Sequence, residues 1–125
     1  MRELSWDAMG LRPGRVEDHP DFVRLFAELG VEEAAPSLDA WVGELVGRSF
    51  FVEGARGVAA YALIDVLGQT GYVVNVVVAP EERRRGQGRR VMRALAEVFR
   101  ARGCHDWMLY VKPENASAVS SRGWI

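Results

Sequence analysis

The stretch "YVVNVVVA", residues 72–79, constrains the fold of this chain more than any other. Its valines run almost without interruption, whereas a strand with one face in water would alternate apolar and polar residues. Such a run is typical of a strand buried on both faces and covered by helices. The sequence therefore predicts an α/β domain with this strand near the centre of its sheet.

The segments before this strand predict two helices and a hairpin. "RVEDHPDFVRLFAELG" (15–30) has helical spacing, a cap at Glu17 or Asp18, and Gly30 at its end. "SLDAWVGELVG" (37–47) predicts a shorter helix capped by Ser37, and "SFFVEG" (49–54) and "GVAAYALIDVL" (57–67) predict strands. We expect Phe22, Leu25, Phe26 and Leu29 to form the buried face of the first helix, and Leu38, Trp41, Val42 and Leu45 that of the second.

After the valine strand, a long helix is predicted from about Gly88 to Arg102, with Val91, Leu95, Val98 and Phe99 inward and Gly103 as its end. "HDWMLYV" (105–111) reads as a strand and "PENASAVSSRGWI" (113–125) as a short helix or turn, with a further strand near Leu11. The predicted sheet is mixed, with hairpins first and a crossover last.

Composition narrows the class of protein. At 125 residues, 49% hydrophobic and 26% charged, the chain is typical of one globular domain, and we expect it in the cytoplasm because no signal peptide or membrane span is seen. The net charge of −1 argues against general nucleic-acid binding. Cys104 stands alone, and His19 and His105 lack ligand spacing, so we expect no metal.

Positive charge is concentrated in one place. Eight of the 10 Arg and Lys residues after Ala62 lie between Arg83 and Arg102, around the loop of "APEERRRGQGRRVM" (79–92). Arginines at a helix N-terminus oppose the helix dipole unless an anion binds there. Glycines 86 and 88 would let such an anion approach the unpaired amides, and the loop length suits a diphosphate. The P-loop and dinucleotide patterns both fail: no Lys and Ser/Thr follow Gly88, and Val91 replaces the third glycine.

The segment "VVVAPEERRRGQGRRVMRAL" resembles the acyl-CoA-binding motif of the GNAT superfamily of N-acetyltransferases, with Arg83, Gly86 and Gly88 on the pattern positions and Val78 and Pro80 at the strand end. The element order is similar over nearly the whole chain. The resemblance implies a GNAT-like, mostly antiparallel central sheet with a splayed central strand pair and helices on both faces. It also implies a single domain over residues 1–125 that lacks the family's last strand or strands.

The same resemblance implies an acetyl-CoA site. The strand end would pair with the pantetheine arm, the amides from Arg84 through Arg89 would hold the pyrophosphate, and the Asn of "VKPENASA" would begin the next helix. The cofactor-binding residues expected in this way are Val76, Val77, Val78, Arg83, Arg84, Arg85, Gly86, Gln87, Gly88, Arg89 and Asn115.

The family's chemistry is direct attack of an amine on the thioester, with a main-chain N–H of Val76 or Val77 as oxyanion donor. The family's Tyr acid after the fifth strand is missing, and Ser120 or Ser121 could replace it or merely end a helix. Asn75 stands near where some relatives carry a carboxylate; it could position the amine or a water, or satisfy main-chain groups at a bulge. Glu32, Glu33 and Asp39 could favour a cationic acceptor or form a solvated rim.

The sequence thus predicts an N-acetyltransferase acting on an amine of a small molecule or a protein. The alternative is a weakly active or inactive acyl-CoA-binding or sensing domain, suggested by the missing Tyr and the short end. An exposed edge strand also leads us to expect pairing with a second copy.

Overall fold

The fold is built on one five-stranded sheet, seen in a computed structural model that describes residues 10–109. The strands lie in the sheet in the same order as in the sequence. All neighbouring pairs are antiparallel except the last, which is parallel. The strands are β1 Arg12–Pro13, β2 Ser49–Gly54, β3 Gly57–Leu67, β4 Thr70–Val78 and β5 Asp106–Leu109.

Three helical segments within residues 10–109 cover the sheet. Helix α1, His19–Phe26, is continued at its two ends by 3-10 turns, Val16–Asp18 and Ala27–Leu29. Segment α2 begins with Leu38–Ala40, widens into a π turn over Trp41–Leu45 and ends with the 3-10 turn Val46–Arg48. Helix α3, Gln87–Ala101, makes the crossover from β4 to the parallel strand β5. No helix in residues 10–109 is both long and apolar enough to cross a membrane.

The core has two layers, one on each face of the sheet. One layer joins α3 to the sheet through the residues predicted to point inward, Val91, Leu95, Val98 and Phe99, which are all buried. The other joins α1 and α2 to the opposite face, with Phe22 stacked on Trp41 at 4.7 Å between ring centroids. This arrangement confirms the predicted α/β fold with helices on both faces and a crossover at the end.

The predicted buried face of α2 is partly wrong. Trp41 is fully buried, but Leu38 and Val42 are 50% and 47% exposed. A π turn has more residues per turn than an α-helix, because its hydrogen bonds join residues five apart. The inward positions of α2 are therefore Trp41, Leu45 and Val46, which pack in or against the α1/α2 layer. Leu38 and Val42 lie outside that face.

Asp18 also differs from its predicted role as a simple helix cap. Its side chain makes no capping hydrogen bond to α1. Instead the carboxylate accepts two hydrogen bonds from Arg12 on β1, at 2.7 and 2.8 Å, and one from the Arg15 N–H at 2.7 Å. The Arg12 guanidinium also lies over the Phe51 ring. This buried ion pair fastens the first strand to the turn that leads into α1.

The ion pair gives stability a pH dependence. Burial alone raises the pKa of Asp18, but the hydrogen bonds from Arg12 and Arg15 and the Arg12 charge outweigh it, so the pKa lies below its ordinary value of 3.8. A group with a lowered folded-state pKa stabilises the fold above its unfolded pKa and loses that contribution as pH falls through the folded value.

We therefore expect Asp18→Asn to lower the free energy of unfolding by about 2 kcal/mol or more at pH 7, because Arg12 is left without its main partner. Urea unfolding between pH 7 and pH 2.5 measures this loss. Below about pH 4 the wild type should lose stability faster than the variant, so that the two curves converge. Parallel curves over the whole range would contradict this role for Asp18.

A second packing constraint fastens α3 to the sheet. Gly71 on β4 has no side chain, and the Phe99 ring of α3 occupies that place. A Cβ at residue 71 would lie only 2.3 Å from the ring. Phe99 in turn stacks on Trp107 of β5, with 5.7 Å between centroids. The crossover helix and both parallel strands therefore meet at Gly71.

Gly71→Ala should destabilise the fold by about 1 to 3 kcal/mol, because the added methyl group must displace a packed aromatic ring. The urea midpoint of unfolding measures the effect. Gly43→Ala is the matched control, since nothing lies within 4 Å of a Cβ there and the segment is helical. Equal midpoints for the two variants would show that this contact does not limit packing.

Candidate acyl-CoA site

The site begins at an irregularity in the central strand β4. Its pairing with β3 runs regularly from Val78 back to Asn75, which lies opposite Leu63, but the next pair is Ile64 with Val73. Val74 is thus an extra residue, a β-bulge. The bulge reverses the alternation of side chains along β4, which explains why Val73 and Val76 both pack in the α3 layer.

The pairing also determines which main-chain groups of β4 remain at its other edge. In an antiparallel pair, successive residues turn their N–H and C=O groups alternately toward and away from the neighbour. Ala79 N–H donates to Ala59 O at 2.8 Å, so the groups of Ala79 and Val77 face β3. Those of Val76 and Val78 face the opposite edge. On that edge β5 pairs only with Thr70–Val73 among the described residues.

The loop after β4 has an unusual backbone. A 3-10 turn, Pro80–Glu82, leads into Arg84, whose φ is 67°, and Gly86, whose φ is 77°. Arg84 is the one residue other than glycine with positive φ in the described chain. A left-handed conformation costs a side chain about 1 to 2 kcal/mol, so the fold tolerates local strain here. Strain of this kind is concentrated at ligand sites.

These turns expose a row of main-chain donors. The hydrogen bonds of the loop stop at Arg83 N–H, which donates to Pro80 O at 3.3 Å, and resume at Arg90 N–H, which donates to Gly86 O at 3.1 Å. Between them the amides from Arg84 through Arg89 have no hydrogen-bond partner in residues 10–109. They lie at the positive end of the 15-residue helix α3. Such a row of unpaired amides favours a bound anion.

The arginines of the loop divide into two groups. Arg83 donates from Nε to Val78 O at 3.1 Å and from Nη2 to Glu28 at 3.0 Å, and Arg85 lies 3.7 Å from the buried Glu82. Arg84, Arg89 and Arg90 are exposed and have no ion-pair partner in the part of the chain that the structure describes. The second group is therefore the one whose charge is available to an anion on the amides.

Three buried polar side-chain atoms of residues 10–109 have no hydrogen-bond partner, and one is the Tyr61 hydroxyl, on β3 opposite Val77. The other two bear on the site. They are Oδ1 of Asn75, beside the bulge, and Oε1 of Gln87, in the first turn of α3. Asn75 lies opposite Leu63, which packs in the α1/α2 layer, so its side chain is on that face. Leaving such an oxygen unsatisfied costs about 1 to 3 kcal/mol, and a donor from a ligand or water would remove that cost.

The remaining predicted residues lie at the rim or outside the described chain. Glu32 and Glu33 are exposed in the segment between α1 and α2, and Asp39 is exposed in the first turn of α2. Asn115, Ser120 and Ser121 lie outside the described residues. Cys104 packs against the α3 layer, and His19 lies beside Phe22 and Trp41, 2.9 Å from Pro36 O. Residues 10–109 contain no cluster of three metal-ligating side chains.

Some features of the site were not foreseen from the sequence. The sequence gives no sign that Glu28 is the partner of Arg83, because 55 residues separate the two and surface Glu residues are common. The left-handed backbone of Arg84 could not be predicted from the sequence either, because glycine is the residue expected at a positive φ and this position is an arginine.

Comparisons with known proteins show the family of this chain. The model of the acetyltransferase (GNAT) family matches residues 3–120. The chain therefore belongs to the GNAT family of acetyltransferases.

Individual relatives are more distant. The chain is 37% identical over 70 residues to the uncharacterized N-acetyltransferase YobR of Bacillus subtilis, a stretch that is 56% of this chain and 28% of YobR. Glucosamine-6-phosphate N-acetyltransferase of Arabidopsis thaliana has the same fold, with a TM-score of 0.65 and 20% identity over 92% of this chain and 90% of that one. N-acetylglutamate synthase of Neisseria gonorrhoeae, complexed with coenzyme A and L-arginine, gives a TM-score of 0.72 and 14% identity over 90% of this chain and 26% of the synthase.

Proposed function

We propose that this protein is an acetyl-CoA-dependent N-acetyltransferase that acts on an amine of a small molecule or a protein. The proposal is carried by one observation: a row of unpartnered amides, 84–89, directly follows a strand whose Val76 and Val78 groups face away from β3. The amide row suits a diphosphate, and the strand edge suits an extended arm that contains amide groups. Membership of the GNAT family and the coenzyme A held by the Neisseria synthase support the same ligand.

In this proposal the chain holds acetyl-CoA at two places. The amides from Arg84 through Arg89 bind the diphosphate, with charge from Arg84 and Arg89 and the left-handed Gly86 keeping the approach open. Arg85 and Gly88 contribute amides, and Gln87 offers its carboxamide. The pantetheine arm adds to the edge of β4 as a further strand would, pairing with Val76 and Val78 while Val77 holds β4 to β3.

The chemistry is then attack of the neutral amine on the thioester carbonyl supplied by acetyl-CoA, forming a C–N bond and breaking the C–S bond. The amine gives up one proton to water, and the departing thiolate gains one. The Val76 N–H is the donor suited to the developing oxyanion, since the Val77 N–H faces β3. Asn75 accepts a hydrogen bond from the amine through Oδ1 and so orients it, but cannot take its proton. Ser120 is the proposed acid for the thiolate, and Asn115 is proposed to border the cofactor.

The second candidate function is an acyl-CoA-binding or sensing domain. It is favoured by the amide of Asn75 beside the bulge, because an amide cannot act as a general base. The two functions share the cofactor site and differ only in turnover.

Turnover of acetyl-CoA with a panel of amines separates them. We expect thiol release that depends on an amine, with a primary amine acetylated as judged by mass spectrometry. If the protein binds coenzyme A but releases no thiol with any amine of the panel, the sensing function is the correct one. Absence of binding would contradict both.

Gly86→Val should weaken coenzyme A binding at least about 100-fold, because a branched side chain would stand where the diphosphate approaches the amides. Isothermal calorimetry measures the affinity. Gly103→Val is the matched control, since Gly103 also has positive φ (81°), ends the same helix and has nothing within 4 Å. Both variants should lose similar stability. Comparable affinities in the two variants would reject the amide cradle.

Asn75→Ala should lower kcat about tenfold, the effect of one hydrogen bond, and leave the KM for acetyl-CoA nearly unchanged. Steady-state kinetics at saturating amine provides the measurement. A raised KM for acetyl-CoA with unchanged kcat would assign Asn75 to the cofactor instead, and no change in either would remove it from the site.

Two wider expectations belong to the same proposal. We propose a cytoplasmic protein without a metal cofactor, and pairing with a second copy through an exposed strand. Sedimentation analysis checks the assembly state.

A further inference from the structure

The further inference concerns Arg83, the first residue of the family's loop pattern in this chain. Two groups hold its guanidinium. Nε donates to the carbonyl of Val78, the last residue of β4, at 3.1 Å. Nη2 forms an ion pair with Glu28, in the turn Ala27–Leu29 that ends the first helix, at 3.0 Å. Neither contact points to a role in neutralising a phosphate.

The Val78 contact has a specific consequence for the edge of β4. The Val78 carbonyl is one of the groups that face away from β3. Arg83 therefore occupies the last acceptor on this edge and limits pairing by an added arm to Val76 and the Val78 N–H. The same hydrogen bond holds Arg83 against the end of β4, five residues earlier in the chain. It therefore fixes the position of the residue that directly precedes the amide row.

The contact with Glu28 joins the start of the loop to the end of α1. Glu28 and Arg83 are about one-third exposed, and 55 residues separate them. The turn that carries Glu28 ends at Gly30, just before Glu32 and Glu33. A guanidinium can hold a carboxylate and a carbonyl at once because its N–H groups point in fixed, separate directions.

We propose that Arg83 is a positioning residue, which aligns the amide row with the edge of β4 and couples it to the end of α1 through Glu28, and does not contact phosphate itself. The inference rests on the proposed function, because it concerns the same cofactor site. Direct phosphate contact by Arg83 is the alternative, and the two make opposite predictions.

The variants Arg83→Gln, Arg83→Lys, Glu28→Gln and Arg84→Gln are compared by calorimetry with coenzyme A. Arg83→Gln should weaken coenzyme A binding about tenfold, and Glu28→Gln about threefold. The double variant, with both Arg83→Gln and Glu28→Gln, should bind no more weakly than Arg83→Gln alone, because the two residues act through one ion pair. Under direct phosphate contact, Glu28→Gln would release the arginine and strengthen binding. Arg83→Lys should not restore affinity, since one ammonium replaces the two-sided guanidinium; recovery by Lys would overturn the proposal.

The salt dependence of binding separates a positioning role for Arg83 from direct contact between Arg83 and phosphate. Arg84→Gln removes charge near the amide row and should flatten the dependence of the dissociation constant on ionic strength. Arg83→Gln should weaken binding without changing that slope, and a flatter slope for Arg83→Gln would overturn the proposal.

Arg100→Gln is the matched control, because Arg100 also forms an ion pair with a glutamate, Glu97, but lies exposed near the C-terminal end of α3. It should leave affinity and slope unchanged. If the wild type binds no coenzyme A, the proposed function fails; if it binds and Arg83→Gln binds equally well, only this inference fails.

Discussion

The structure depends on how the backbone of β4 divides its hydrogen bonds. Through Ala79 and Val77 the strand bonds to β3, which keeps it in the buried centre of the sheet. By the same alternation Val76 and Val78 present their main-chain groups to the opposite edge, while their side chains stay in the α3 layer. A strand buried on both faces thus keeps an edge that β5 leaves unpaired beyond Val73 in residues 10–109, and we propose this edge as part of the cofactor site.

The two core layers hold that edge in place. The α3 layer is fixed where Phe99 fills the space left by Gly71, and this contact also sets the position from which α3 directs its N-terminus toward the end of β4. The aromatic side chains of the α1/α2 layer support the other face, where Asn75 and Val77 lie near Tyr61. Burial raises the pKa of the Tyr61 phenol well above its ordinary value, so that side chain stays neutral within the layer.

Much of the fold could be predicted from the sequence because the signals were local and repeated. The valine run, the helical spacing of Val91, Leu95 and Phe99, and the glycines that end helices each determine one element with little tertiary influence. The prediction failed at Leu38 and Val42, because a π turn gives no sequence signal and changes which positions face inward. The loop was recognised from its glycines and arginines, but the partner of Arg83 depends on tertiary packing. Ser120 and Asn115 lie outside the described residues, so their roles stay predictions.

We propose that the amide row and the edge of β4 form one binding surface for coenzyme A. Titrating ¹⁵N-labelled protein with coenzyme A, followed by amide chemical shifts, tests this most directly. We predict large shifts for the amides from Arg84 through Arg89 and for Val76 and Val78, with small shifts for Val77 and Ala79, which are bonded to β3. Saturable binding that leaves the amides 84–89 unshifted would contradict the account.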